Sequence, residues 1–291
     1  MLAGHARAPS PWARAYQFGP ADAKSLTVYG LFVRGNEALD PSRVTKGAEI
    51  RGDVVVIQPT LALALADRLG QVFVAVQLGK VSGTLPLPTG SVSSSSSGLG
   101  DTQLGWVQSV MGPPAAAGTA FLDLHAGMVV NLLGKITMPT GAYSSSQPLN
   151  LGSNRWTFQL GAPLCYYLGD SFVDPRLTTF ELEPTLSIFT AVQDPSGTHR
   201  EAPMLGLEAH ITHNVNQALW ASLDGLYFQG GETTTNGIKG GNSKIALELG
   251  GTVGYSVGEN LSFTLTYGGA ASRNDNGTDG HGVRVMGVRS F

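Results

Sequence analysis

Twelve ionisable side chains occupy alternating positions within largely apolar stretches: Asp123, His125, Lys135, Arg155, Glu181, Glu183, Glu208, His210, Asp224, Lys244, Glu248 and Arg284. Gathered on one surface, they could line a charged, pore-lining constriction that selects solutes by sign and size. They could equally pair with one another, since charges removed from water need partners. Glu181 and Glu183 are the sharpest case. On an extended chain they share a face at about 7 Å, where their charges repel unless a cation intervenes. Arg155, on the preceding segment, is the expected partner. Nothing further supports the carboxylate pair of a glycosidase. Asp123 and His125 also share a face and could orient a base towards a serine, yet no serine has the setting of a nucleophile. His210 and His213 are three apart, on opposite faces of a strand, so they do not chelate one metal. The stretch "NDNGTDG" resembles a calcium loop, but Gly277 takes the second ligand position counted from Asp275 and the bidentate glutamate is missing. It reads as an exposed hairpin loop. No cofactor is implied.

The elements that carry these residues show a period of two from end to end. In "NSKIALELGGTVGYSVG", Ile245, Leu247, Leu249, Val253, Tyr255 and Val257 fall on one side, with Lys244, Ala246, Glu248, Thr252 and Ser256 on the other. That is strand alternation, with one greasy and one wet face. The expected strands are 24–35, 53–65, 71–84, 99–111, 119–138, 154–168, 171–192, 203–213, 218–230, 243–257, 260–272 and 281–291. Short connections at 66–70, 112–118, 168–170, 213–217 and 257–260 alternate with long ones near 36–52, 85–98, 139–153, 193–202, 231–242 and 273–280. A sandwich with Greek-key crossings has no reason for this order. An up-and-down barrel does: tight turns at one end, long loops at the other, lipid-facing residues alternating with lumen-facing ones. Pro59, Pro163 and Pro184 fall inside expected strands, and a closed barrel has no edge to absorb a missing N–H. A bulge or an early strand end is expected at each.

Composition agrees. Charged residues make up 13% of the chain, against about 25% in soluble domains, while 39 glycines and 16 prolines suit many short strands. The longest purely apolar run, "LALALA" at 61–66, falls far short of the roughly 18 residues of a membrane helix. A net charge of -3 with scattered signs offers nucleic acid no basic stripe. Cys165 stands alone, so no internal disulfide forms. The expected architecture is all-β: a transmembrane antiparallel up-and-down β-barrel of about twelve strands over 24–291. Residues 1–23 are expected to be a periplasmic segment that includes the tail of a signal peptide at "ARA", Ala6 to Ala8. Phe291 then ends the last strand as an aromatic anchor at the membrane interface. Asn154 and Arg155, just after a long loop, are expected at the pore entrance.

From "LTVYGLFVRGNEALDPSRV" through "GLGDTQLGWV" and "PTGAYSSSQPLNLGSNRWTFQLGAPLCYYLG" to "ALWASLDGLYFQGGETTTNGI" and "YGGAASRNDNGTDG", the chain resembles the outer-membrane proteins of the MetA-pathway of phenol degradation family. The resemblance implies a barrel in the bacterial outer membrane that admits small molecules passively, hydrophobic or aromatic compounds among them. The expected partners are outer-membrane lipids, small-molecule solutes and the barrel-insertion machinery, with no nucleic acid. The ending "GVRSF" departs from the family's aromatic-Arg-aromatic finish. Two other readings stay open. A lipid-modifying barrel enzyme would gather a serine, a histidine and an acid at one rim, and a structural or adhesive barrel would have its bore filled by N-terminal residues or an external loop.

Overall fold

The structure, a computed structural model, describes residues 2–3 as backbone, 13–17, 19–37, 44–125, 127–195 and 197–291. Ala6 to Ala8, the expected signal-peptide tail, lie outside them. Among the described residues, twelve antiparallel strands form one barrel: β1 (Lys24–Gly35), β2 (Glu49–Leu65), β3 (Arg68–Leu87), β4 in two pieces (Gly90–Leu99 and Thr102–Met111), β5 (Met128–Met138), β6 in two pieces (Thr157–Gly161 and Leu164–Leu168), β7 (Thr178–Phe189), β8 (Met204–Asn214), β9 (Leu219–Gly230), β10 (Lys244–Val257), β11 (Leu261–Arg273) and β12 (His281–Ser290). Pairing of β12 with β1 closes the ring. Side-chain alternation decides which face meets lipid. Leu247, Leu249, Val253 and Tyr255 of β10 stand exposed on the outside, as do Phe180 and Leu182 of β7 and Leu205 and Leu207 of β8. Lys244, Ala246, Thr252 and their counterparts are buried within. Phe291 lies on the outside at the short-turn end, 73% exposed, its N–H donated to the Lys24 carbonyl at 2.9 Å.

Residues 85–98, expected as a long connection, instead continue β3 and β4 as a paired hairpin, and three further features depart from expectation. The fifth strand starts at Met128, not 119, because Gly118–Phe121 forms a 3-10 turn instead. Phe121 stacks on Phe172 at 5.0 Å and Tyr167 meets Phe172 edge-on at 4.9 Å, so the connections after β4 and β6 form an aromatic floor at the short-turn end. In the second connection Asp174 accepts the Arg176 and Asp170 backbone N–H groups at 2.7 and 2.9 Å, and these bonds hold its carboxyl below the usual carboxylate range. Prolines behave unequally. Pro163 splits β6, its carbonyl accepting Asn131 N–H at 2.8 Å. Pro184 stays inside β7, beside that split, where the Ala162 N–H reaches its carbonyl at 3.1 Å. Pro59 also stays within β2, and only the ladder to β3 lapses beside it.

The third departure is the N-terminal segment. Residues 13–17 lie inside the bore, not beneath it, as the hydrogen bonds of Arg14 and Gln17 to β7 and β8 show. Leu2–Ala3 pair in parallel with Leu149–Asn150, in the long loop after β5. That loop also turns inward. Leu149 and Leu151 are buried against Leu31, Ile50, Val54, Val56 and Val81 on the inner faces of β1 to β3. Asp101, fully buried, ties the loop down by accepting Gly141 and Ser153 N–H at 2.8 and 2.7 Å. Gly141 and Gly152 pass so closely that a Cβ on Gly152 would meet the Gly141 carbonyl at 2.5 Å. The long-loop half of the bore is therefore a packed apolar layer along β1 to β3, a rare lining for a barrel whose interior is normally polar.

Candidate passage through the barrel

Below that layer the bore divides into two walls. The first is charged and belongs to β7 through β10. Glu181 accepts Arg14 N–H at 2.7 Å, Gln17 Nε2 at 3.0 Å and Thr179 Oγ1 at 2.7 Å. The Arg14 guanidinium donates to Thr212 Oγ1 and Asn214 Oδ1 at 3.0 and 2.7 Å and lies 4.4 Å over the Trp220 ring. Strand register places His210 directly between Glu181 and Asp224. Its Nδ1 meets Asp224 Oδ1 at 2.8 Å. Ser222 and Thr252 donate to the same carboxylate, each at 2.7 Å. Glu183 and Glu208 are also buried, facing each other across β7 and β8.

The second wall, β1 through β6, is largely uncharged, Lys135 of β5 excepted. Inner positions of these strands carry Thr27, Gln58, Thr60, Gln71, Gln103 and Gln159, with Tyr29 and Phe73 among them. Between this wall and residues 14–17 lies a cavity of about 270 Å³, to which Lys135, Glu208 and Arg284 contribute the charged groups of the wall. Arg284 is buried, its guanidinium 5.7 Å from the Tyr29 ring centre. The N-terminal segment thus covers much of the charged wall and leaves mainly amides, hydroxyls and aromatic rings, together with Lys135, Glu208 and Arg284, facing the space that remains.

Other expected site residues lie elsewhere. Asp123 and His125 are exposed in the connection before β5, not on the bore face, since the chain there is not a strand; His125 Nδ1 contacts the Asp170 carbonyl at 2.7 Å. Arg155 is no partner of Glu181 or Glu183. It reaches Glu201, under the external loops, and lies 4.2 Å from the Phe189 ring centre. Lys244 Nζ lies 3.7 Å from the other oxygen of Glu201 and donates to the Gly231 carbonyl. Glu201 belongs to a small sheet above the barrel formed by Val192–Asp194, Gly197–Glu201, Thr233–Thr235 and Ile238–Lys239. Asn154 stands beside Arg155 with an exposed side chain and a φ of 52°, a left-handed conformation that asparagine tolerates. Glu248 lines a shallow crevice with Arg34, Thr278 and His281 near the long loops. Sequence reasoning overlooked Arg14, Gln17, Asp101, Glu201 and the inner glutamines. The spacing of the glutamines on inner faces was the available signal for the last of these.

A closed ring of twelve antiparallel strands, greasy outside and polar or packed within, defines a bacterial outer-membrane β-barrel. The chain belongs to the family described as "Putative MetA-pathway of phenol degradation", whose model matches residues 42–286. Among solved structures it is similar to the COG4313 outer membrane channel from Pseudomonas putida F1, at 18% identity over 97% of this chain and 100% of that one, with a TM-score of 0.78. The β domain of the Bordetella autotransporter BrkA is 9% identical over 93% of this chain and 100% of that one, with a TM-score of 0.53. The translocator domain of the autotransporter NalP from Neisseria meningitidis is 9% identical over 95% of this chain and 90% of that one, with a TM-score of 0.50. At these identities the likeness is one of fold. No curated protein matches the chain.

Proposed function

We propose that the barrel is a channel for passive passage of small neutral molecules that combine an apolar body with a polar group, phenolic compounds among them. The cavity of about 270 Å³ between residues 14–17 and the glutamine- and threonine-rich wall carries this reading. Its amides and hydroxyls offer both donors and acceptors to a solute hydroxyl, and Tyr29 and Phe73 offer faces to a ring. The apolar layer of Leu31, Val54, Val56, Leu149 and Leu151 above it disfavours a bare ion, which would lose its water there without a partner. Membership of a family associated with phenol degradation and a fold shared with a protein described as an outer membrane channel agree with it. At His210 nothing favours a serine nucleophile: Ser222 donates to Asp224, so the histidine is not poised to take its proton. The test is uptake of phenol and of benzoate by bacterial cells at limiting concentration, with and without the barrel. Phenol entry is expected to speed up severalfold and benzoate entry little; equal effects on both, or none on either, would remove the reading.

A further inference from the structure

Strand register gathers a second charged group on the outside of the barrel, unrelated to the bore. Near the long-loop ends of β1 and β2, Arg34 lies directly opposite Arg51, with His281 of β12 on its other side. One row lower, Asp53 of β2 lies opposite Lys80 of β3. All share the outward face with Phe32, Val55 and Leu78, which are 44–45% exposed, so this group caps the lipid-facing belt. Asp53 sits between the two guanidiniums, 3.3 Å from Arg34 Nη1 and 2.6 Å from Arg51 Nε. It satisfies part of each fork and holds the two arginines side by side. Arg51 keeps a side-chain exposure of 59%, and the side chain of Lys80, paired in register with Asp53, is exposed. Three cations thus surround one acid, with Glu49 one row further out.

The row beneath contains no charge. Gly30, Val55, Leu78 and Leu99 are neighbours across four strands, and the Phe32 ring covers Gly30. A positive stripe therefore sits where the apolar belt ends, on the side of the long external loops. Arginine forks match the geometry of a phosphate, and the belt below accepts hydrocarbon chains. We propose that Arg34, Arg51 and Lys80 seat the phosphate of a lipid in the outer leaflet, its acyl chains lying along Phe32, Val55 and Leu78. Arg51 and Lys80 donate to the phosphate oxygens, while Asp53 orients the arginines. The surface stands independently of what passes through the bore.

Native mass spectrometry of the full, detergent-folded chain with bis-phosphorylated lipid A tests this, with the same lipid stripped of its phosphates alongside. The wild-type barrel is expected to retain the phosphorylated lipid, and the Arg34→Gln, Arg51→Gln, Lys80→Gln triple variant to lose at least tenfold in retention. A control, Arg200→Gln with Lys239→Gln on the external sheet, removes two exposed cations away from the stripe and is expected to retain it. Lys80→Gln alone removes no side-chain hydrogen bond or ion pair among the described residues and is expected to weaken retention by itself. Equal retention by the wild type and both stripe variants, or equal binding of the dephosphorylated lipid, would overturn the proposal.

Discussion

In a Glu181→Ala barrel, trypsin is expected to cut after Arg14 on the order of a hundredfold faster than in the wild type, because two bonds to a carboxylate, each about 1.5–3 kcal/mol, are lost at tenfold per 1.4 kcal/mol. That carboxylate accepts the Arg14 N–H and the Gln17 side-chain amide. Both bonds lie on the bore wall, so the groups left behind are poorly placed to find water. Cleavage tracks the fraction of time the segment is away from the wall when reclosure is fast. Glu181→Gln keeps an oxygen acceptor but loses its charge, and an intermediate rate is expected. The remaining bonds of Arg14 to Thr212 and Asn214, and its stacking on Trp220, are untouched in both variants. Identifying the fragments by mass spectrometry gives the rates, and equal protection in all three proteins would show that Glu181 does not hold the segment.

Glu201→Ala should destabilise the barrel by roughly 3–5 kcal/mol, the cost of removing one member of a buried ionic group. Glu201 is 3% exposed, and the cations it serves, Arg155 and Lys244, are 2% and 1% exposed in their side chains. Alanine leaves both cations in place with their carboxylate gone. Replacing all three residues with methionine removes the charges together and is expected to cost far less, since a buried ion pair is worth little more than apolar side chains of similar volume. Urea unfolding followed by tryptophan fluorescence compares the three proteins. If the single variant and the triple replacement unfold at the same urea concentration, the cluster is not a coupled unit. The same substitutions should loosen the external sheet, because Glu201 is one of the residues that tie it to the starts of β6 and β10.

Much of the barrel was legible because a period of two decides which face a residue takes. Ile245, Leu247, Leu249, Val253, Tyr255 and Val257 all lie outside, as their alternation requires. Legibility failed where alternation carries no information. Val54, Val55, Val56 and Ile57 are apolar on both faces, so nothing in β2 announces that its inner side packs on Leu149 and Leu151. From 119 the alternation suggested a strand, but Phe121 finds Phe172 and Gly118–Phe121 turns instead. The partner of Glu181 was sought on a neighbouring strand. It came from Arg14, 167 residues away, and no local pattern reports a contact made by a segment that folds back into the bore. Arg155 was misassigned for a related reason: its acid, Glu201, lies in a stretch whose polar composition reads as loop, yet which pairs into a small sheet.

Residues 13–17, and the pairing of Leu2–Ala3 with the inward loop at Leu149–Asn150, narrow the bore against ions while the cavity beside residues 14–17 stays open to neutral solutes. Planar-bilayer conductance of the full chain beside a folded chain lacking residues 1–20 tests this claim most directly. The full chain is expected to pass almost no ionic current. The shortened chain should conduct in stable steps with a cation preference, since Glu181 loses Arg14 and the acids of the charged wall outnumber Lys135 and Arg284 across the bore. A shortened barrel as silent as the full chain, or a full chain that conducts equally well, would contradict the claim.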